Sequence, residues 1–150
     1  MMKFHQLVAS VSGIGYIRKG GGTVAAMVFC IIWFFLPAGY EKGSWQVVIT
    51  LLIIAVGIWS SNIVDSAWGT DSNKVVIDEV AGMAIALLYV PQKVEYILIS
   101  LVAFRFFDIV KPLGIRNLES LPKGWGVMAD DVLAGLYALV IIQLWLRLTL

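Results

Sequence analysis

The chain has 150 residues, of which 60% are hydrophobic and only 14% charged, with a mean hydropathy of +0.89. A soluble domain is about half apolar and a quarter charged, so this composition points to a multi-pass membrane protein forming one domain, residues 1–150. A formal net charge of +1 gives no footprint for nucleic acid, and the single cysteine, Cys30, excludes an intrachain disulfide.

The first thirteen residues, MMKFHQLVASVSG, make a poor signal peptide. Their apolar stretch is short, broken by Ser10 and Ser12 and followed by Arg18 and Lys19. They are read as an interfacial or re-entrant helix kept in the mature protein, with its histidine, His5, as surface or interfacial filler. Five apolar segments follow, at 22–36, 45–63, 75–90, 94–110 and 127–146. Pro37-Ala38-Gly39 and Gly43 turn the chain between the first two, and Cys30 lies inside the first as a small buried hydrophobe. The third and fourth are shorter than the roughly 20 residues of a full span. They are either complete helices with charged ends at the interface or a helical hairpin closed by Pro91-Gln92-Lys93. The predicted fold is all-α: a polytopic bundle of about five apolar helices, some short or re-entrant, plus the N-terminal interfacial helix.

Charge placement orients this bundle. With the N-terminus in the cytoplasm, that side holds eight cations: Lys3, Arg18, Lys19, Lys74, Arg105, Lys111, Arg116 and Lys123. The other side holds three, Lys42, Lys93 and Arg147, which is the positive-inside pattern. The acids divide in the same way: Asp65, Asp71, Asp78, Glu79, Asp108, Glu119, Asp130 and Asp131 on the cytoplasmic side, Glu41 and Glu95 across. Three separated acidic sequences thus converge at one membrane depth.

Two of them resemble each other. Asp78 precedes Gly82 by four residues in DEVAG, and Asp131 precedes Gly135 by four in DVLAG, so each Asp stands one turn from a Gly on the same helix face. Ala81-Gly82 and Ala134-Gly135 are small enough for helices to approach closely in lipid. Those faces would also permit a homodimer, which no feature demands. In FRFFDIVKPLGIR, residues 104–116, Arg105, Asp108 and Lys111 lie along one side for as long as the helix lasts, and Pro112 opposes its continuation.

Asp78, Glu79, Asp108, Asp130 and Asp131 offer carboxylate oxygens with no nitrogen or sulfur ligand beside them, which favours Mg²⁺ over zinc. Asp78 and Asp131 are the leading ligands. Glu79 and Asp130 stay open between binding a second ion, orienting ligands and acting as a base. Arg105 and Lys111 suit an anionic group bridged to the metal, Arg in bidentate fashion. The Gly20-Gly21-Gly22-Thr23 run exposes backbone N–H groups at a helix start, so Gly22 and Thr23 are candidate phosphate contacts. Asp65 and Asp71 are read as lying in a polar loop, SNIVDSAWGTDSNK (61–74), where Asp71 or Ser72 is expected to cap the following helix and the role of Asp65 is left undecided. Carboxylates, Mg²⁺ and flanking cations describe phosphoryl chemistry at a membrane surface. No Cys-x5-Arg loop surrounds Cys30, no D-x-D occurs and His5 is alone, which leaves metal-activated water as the nucleophile. Two rivals stand beside a phosphatase. A lipid phosphotransferase would carry D-x-x-D-G-x-x-A-R, which is missing, and a cation-linked transporter or assembly protein would spread its acids across the bilayer.

GTVAA (22–26), VVIDEVAGM (75–83), FRFFDIVKPLGIR (104–116) and GWGVMADDVLAG (124–135) stand in an order that resembles bacterial phosphatidylglycerophosphatase A proteins. The resemblance runs from about Gly13 to the last helix. It departs where Leu113-Gly114 follows Lys111-Pro112, since many members have a second proline there, and it is loose around Asp65. It implies a Mg²⁺-dependent phosphatase of the bacterial inner membrane, facing the cytoplasm. Such an enzyme hydrolyses the terminal phosphomonoester of phosphatidylglycerophosphate to phosphatidylglycerol. By the same resemblance Asp78, Glu79, Arg105, Asp108, Lys111, Asp130 and Asp131 fall on the family's motif positions, and Gly22-Thr23 on its first.

Overall fold

The computed structural model describes residues 1–17, 19–70 and 72–149. The cytoplasmic charge assigned to Arg18 and the cap assigned to Asp71 therefore lie outside the described residues. Among the described residues all regular structure is helical: α1 (Met2–Ala9), α2 (Gly21–Phe34), α3 (Trp45–Trp68), α4 (Ile77–Ala86), α5 (Val94–Val110), α6 (Ile115–Leu118) and α7 (Gly124–Thr149), with two short 3₁₀ turns.

Two of these, α3 with 24 residues and α7 with 26, are long and apolar enough to cross a membrane. Helix α2 is apolar but has 14 residues, and α5 has 17. Helix α4 has 10 residues, about 15 Å at 1.5 Å per residue, roughly half the hydrocarbon thickness. The expectation of about five apolar helices is narrowed accordingly: two reach spanning length and the rest are shorter. Outward positions of α2, α3, α5 and α7, among them Ile31, Leu52, Val102 and Val140, are more than half exposed. An apolar surface on that scale is costly in water and is consistent with residence in a lipid bilayer.

Helix α4 is the centre of the bundle. Every residue from Val80 to Ala86 is buried, against α2, α3, α5 and α7. Met83, Ala86 and Leu87 join Cys30, Trp33, Ile97, Phe104, Ala134, Ala138 and Ile142 in the main core. Helices α4 and α7 run side by side in the same direction. A Cβ on Gly135 would collide with the backbone of Gly82, and a Cβ on Gly82 would strike the Phe104 ring and the Asp131 carbonyl. The two Ala-Gly steps are thus the contact between α4 and α7. One turn back from that contact, Asp78 and Asp131 stand next to each other.

Glutamines serve the ends of α4 and α2 that lie away from these aspartates. Helix ends leave carbonyls and N–H groups unpaired, and in a low-dielectric setting these need partners. Gln143 Nε2 donates to Leu88 O (3.0 Å), and Gln92 Nε2 donates to Trp33 O and Leu36 O at 2.9 and 3.1 Å. Gln46 Oε1 accepts from Tyr89 N at 2.9 Å while its Nε2 donates to Glu41 O at 2.8 Å. Of the two readings of 75–110, the structure gives the hairpin: α4 and α5 are joined through Pro91-Gln92-Lys93, with α4 too short to be a span of its own.

Three expectations need correction. His5 is not surface filler: it is 1% exposed, its Nδ1 lies 3.1 Å from Ser60 Oγ, and Trp59 meets its ring edge-on. The fully buried Ser60 hydroxyl supplies the partner that lets an imidazole sit between α1 and α3. Asp65 is not in a loop, because α3 continues to Trp68. Ser72 does not cap α4: its Oγ accepts from Lys74 N at 3.4 Å, and the N-cap is Val76, whose N–H goes to Ala9 O at 2.9 Å.

Candidate active site

A cavity of about 360 Å³ opens where α2 and α4 begin, α5 ends and α7 passes. Gly20, Gly21 and Gly22 line it from α2 and its cap, Asp78 and Glu79 from α4, Arg105 and Asp108 from α5, and Asp130 and Asp131 from α7. Lys111 lines it from the turn after α5. Asp65 is not among the lining residues, and neither is Thr23. Thr23 follows Gly22 by one residue, a rotation of about 100° on a helix, which turns it off the wall.

The carboxylates of Asp78, Glu79 and Asp131 each offer an oxygen within 4.8 Å of the others. Asp78 and Glu79 occupy the first turn of α4, where the helix dipole favours negative charge. Glu79 also reaches the first turn of α2, where a Cβ on Gly22 would collide with its carboxylate. Only glycine at position 22 leaves that space. Asp131 is 3% exposed and Asp130 6%. Helix α7 begins at Gly124, three residues ahead of the apolar segment expected from 127, and the Gly124 N–H is received by Asn62 Oδ1 at 3.0 Å. The two aspartates therefore lie in the second turn of α7, beyond its N-terminus, and are held by packing.

Arg105 and Asp108 stay together on one side of α5, as their spacing implies, but Lys111 does not join them. Arg105 Nη1 is 2.5 Å from Asp108 Oδ2, off the line of a hydrogen bond, so Nη1 and Nε both lack hydrogen-bond partners among the described residues. Helix α5 stops at Val110, and Lys111 takes a left-handed conformation (φ 49°) ahead of Pro112. This turns Lys111 away from Asp108. Its Nζ instead bridges Asp130 Oδ2 and Glu119 Oε1, both at 2.6 Å. Burial alone would pull the Lys111 ammonium down, but the hydrogen bonds it donates to Asp130 and Glu119 outweigh it and hold the group above the ordinary lysine range. Of the five acids expected as metal ligands, Asp78, Glu79 and Asp131 thus form one group, whereas Asp108 and Asp130 are drawn into ion pairs on the same wall.

Several oxygens in this wall are buried without a partner among the described residues: Asp78 Oδ1, Glu79 Oε2 and Asp130 Oδ1. Buried polar atoms are rarely left so, and three converging carboxylates repel one another unless a cation sits between them. The donor set, all oxygen, fits a hard divalent ion. The unpaired Arg105 donors on the same wall fit an anion beside it. Glu119 was missed as a site residue. It lies eight residues from Lys111 in sequence, and nothing in the local pattern signals that the chain folds it back. Ser72 and Asn73, also on the wall, carried no signal beyond belonging to a polar stretch.

Acids and cations lining a cavity at one end of an apolar-walled helical frame are the equipment of a lipid phosphatase. Comparison with known proteins agrees: the family model for phosphatidylglycerophosphatase A matches residues 7–146, and the chain belongs to that family. A Bacteroides thetaiotaomicron protein named "Putative phosphatidylinositol-3-phosphatase" is 40% identical over 143 residues, covering 91% of this chain and 89% of the relative. A Haemophilus influenzae phosphatidylglycerophosphatase A is 37% identical over 146 residues, covering 93% and 89%. No solved structure matches.

Proposed function

We propose that this chain hydrolyses phosphatidylglycerophosphate to phosphatidylglycerol and inorganic phosphate, with Mg²⁺ held by Asp78, Glu79 and Asp131. The observation that carries the reading is the grouping of these three carboxylates within 4.8 Å beside the unpartnered donors of Arg105. When bound, the ion supplies a Lewis acid that offsets phosphoryl charge and acidifies water. Arg105 Nε and Nη1 grip the non-bridging oxygens, and Lys111, with two of its three N–H groups taken, directs the third at the same phosphate. Water adds its oxygen to phosphorus, the ester P–O bond breaks, and the leaving alkoxide takes a proton from solvent at the cavity mouth to become the glycerol hydroxyl. Asp130 Oδ1, buried and unpartnered, receives the proton that water gives up. Asp108 keeps Arg105 in place.

The chain works as one multi-pass domain in the bacterial inner membrane. Its cavity faces the cytoplasm, which agrees with eight cations against three across the two sides. A phosphomonoester at headgroup depth then reaches the site with its acyl chains still in lipid. A second reading, a phosphoinositide monoester as substrate, is favoured by the 40% identity to the Bacteroides protein. The deciding test is phosphate release by purified protein from phosphatidylglycerophosphate, phosphatidylinositol 3-phosphate and phosphatidic acid, each with Mg²⁺ or EDTA. Mg²⁺-dependent release fastest from phosphatidylglycerophosphate is expected; preference for the inositol lipid would move the assignment to the second reading, and no release from any would end both.

A further inference from the structure

Helices α2 and α5 each contribute a stripe that starts in the charged cavity and leaves it. On α2 and its cap, Gly20, Met27, Ile31 and Phe34 fall on one face, at steps of seven, four and three residues. On α5, Asp108, Arg105, Leu101, Leu98 and Val94 fall on one face in the opposite chain direction. The first members of both stripes line the cavity. The remaining members line an apolar groove of about 230 Å³ whose floor is the buried pair Cys30 and Ile97. The same two helix faces thus carry the charged cavity at one end and the apolar groove further along, and together α2 and α5 frame a furrow that passes from charged to apolar lining. From Gly22 to Phe34 it runs about 18 Å at 1.5 Å per residue, comparable to one leaflet of a hydrocarbon core roughly 30 Å thick.

We propose that this furrow seats one acyl chain of the lipid phosphomonoester whose phosphate lies in the cavity, so that substrate enters sideways from the bilayer between α2 and α5. The inference rests on the lipid-phosphatase reading and deepens it by naming where the chain goes. Another apolar groove, about 310 Å³ between α3, α6 and α7, shares only α7 with the charged cavity: among the described residues neither α3 nor α6 lines that cavity, so no pair of helices frames both.

The test compares kcat/KM for phosphatidylglycerophosphate bearing palmitoyl chains with that for its deacylated, water-soluble form. Leu101→Trp and Ile31→Trp, which fill the groove, should lower the ratio of the two by about tenfold, the scale on which apolar pockets discriminate. Leu136→Trp, in the other groove, should leave the ratio where the unmodified protein has it. An unchanged ratio in both groove variants, with both substrates still hydrolysed, overturns the acyl seat and spares the phosphatase reading. Failure of the unmodified protein to hydrolyse either form overturns the phosphatidylglycerophosphate assignment on which the seat rests. A second measurement needs no variant: the unmodified protein is irradiated in vesicles with a phosphatidylglycerophosphate carrying a photoreactive group on its acyl chain. Adducts concentrated on Met27, Ile31, Leu98 or Leu101 support the seat; adducts on Ile58 and Val132, or spread evenly over the outer surface, sink it.

Discussion

Lys111→Met removes the one ammonium that bridges Glu119 and Asp130. The two halves of that bridge differ in worth. Glu119 is 49% exposed in its side chain, so its pair contributes less than about 1 kcal/mol. Asp130 is 8% exposed and would be left as a buried charge with nothing opposite it. Breaking a buried pair on one side costs about 3–5 kcal/mol, and the water-accessible cavity together with the 22% exposure of Lys111 lowers the expectation to about 2–3 kcal/mol. For a chain of this size that is a fall in Tm of about 5–10 °C. Adding Asp130→Asn removes the stranded charge, so the double variant should regain most of the loss. Thermal unfolding in detergent of the wild type, both single variants and the double gives a coupling of about 2 kcal/mol if the reasoning holds. A coupling within about 0.5 kcal/mol of zero would refute it. The double variant should still fail to release phosphate, because stability is restored without the cation that meets the substrate. The raised folded-state value of Lys111 means that its pairing stabilises fully below the ordinary lysine range and is lost only as pH rises through the folded value. Unfolding measured from pH 7 to 9 should therefore show no loss traceable to this pair.

Asp78→Asn and Asp131→Asn should each reduce phosphate release by about a hundredfold or more while far-UV circular dichroism stays helical; near-wild-type turnover in both would remove them from the site. Mg²⁺ should raise the Tm of the wild type by binding only the folded state, and Asp131→Asn should lose most of that shift in differential scanning calorimetry. Gly135→Ala places a Cβ against the Gly82 backbone, which cannot move aside as a side chain can, so a destabilisation of about 1–3 kcal/mol is expected by denaturant or thermal melting. Gly22→Ala sets a methyl against the Glu79 carboxylate; its effect should fall on kcat more than on Tm, and a Tm loss with kcat intact would contradict the placement of Glu79.

The sequence by itself determined the helical class, the apolar outer surface and the list of acids and cations to watch. These follow from composition and from periods of three and four residues, which are local properties of a chain. It also carried the Ala-Gly steps of DEVAG and DVLAG, because a glycine one turn from an aspartate is visible without coordinates. What only the tertiary structure decided was which charge meets which. Arg105, Asp108 and Lys111 share one side by spacing, yet a left-handed residue before Pro112 turns Lys111 across to Asp130 and Glu119. The start of α7 at Gly124, three residues ahead of its apolar segment, the burial of His5 against Ser60 and the loss of Thr23 from the cavity wall are of the same kind. Pairing between side chains far apart in sequence depends on helix ends and crossing points set by the whole bundle, and no local pattern encodes those.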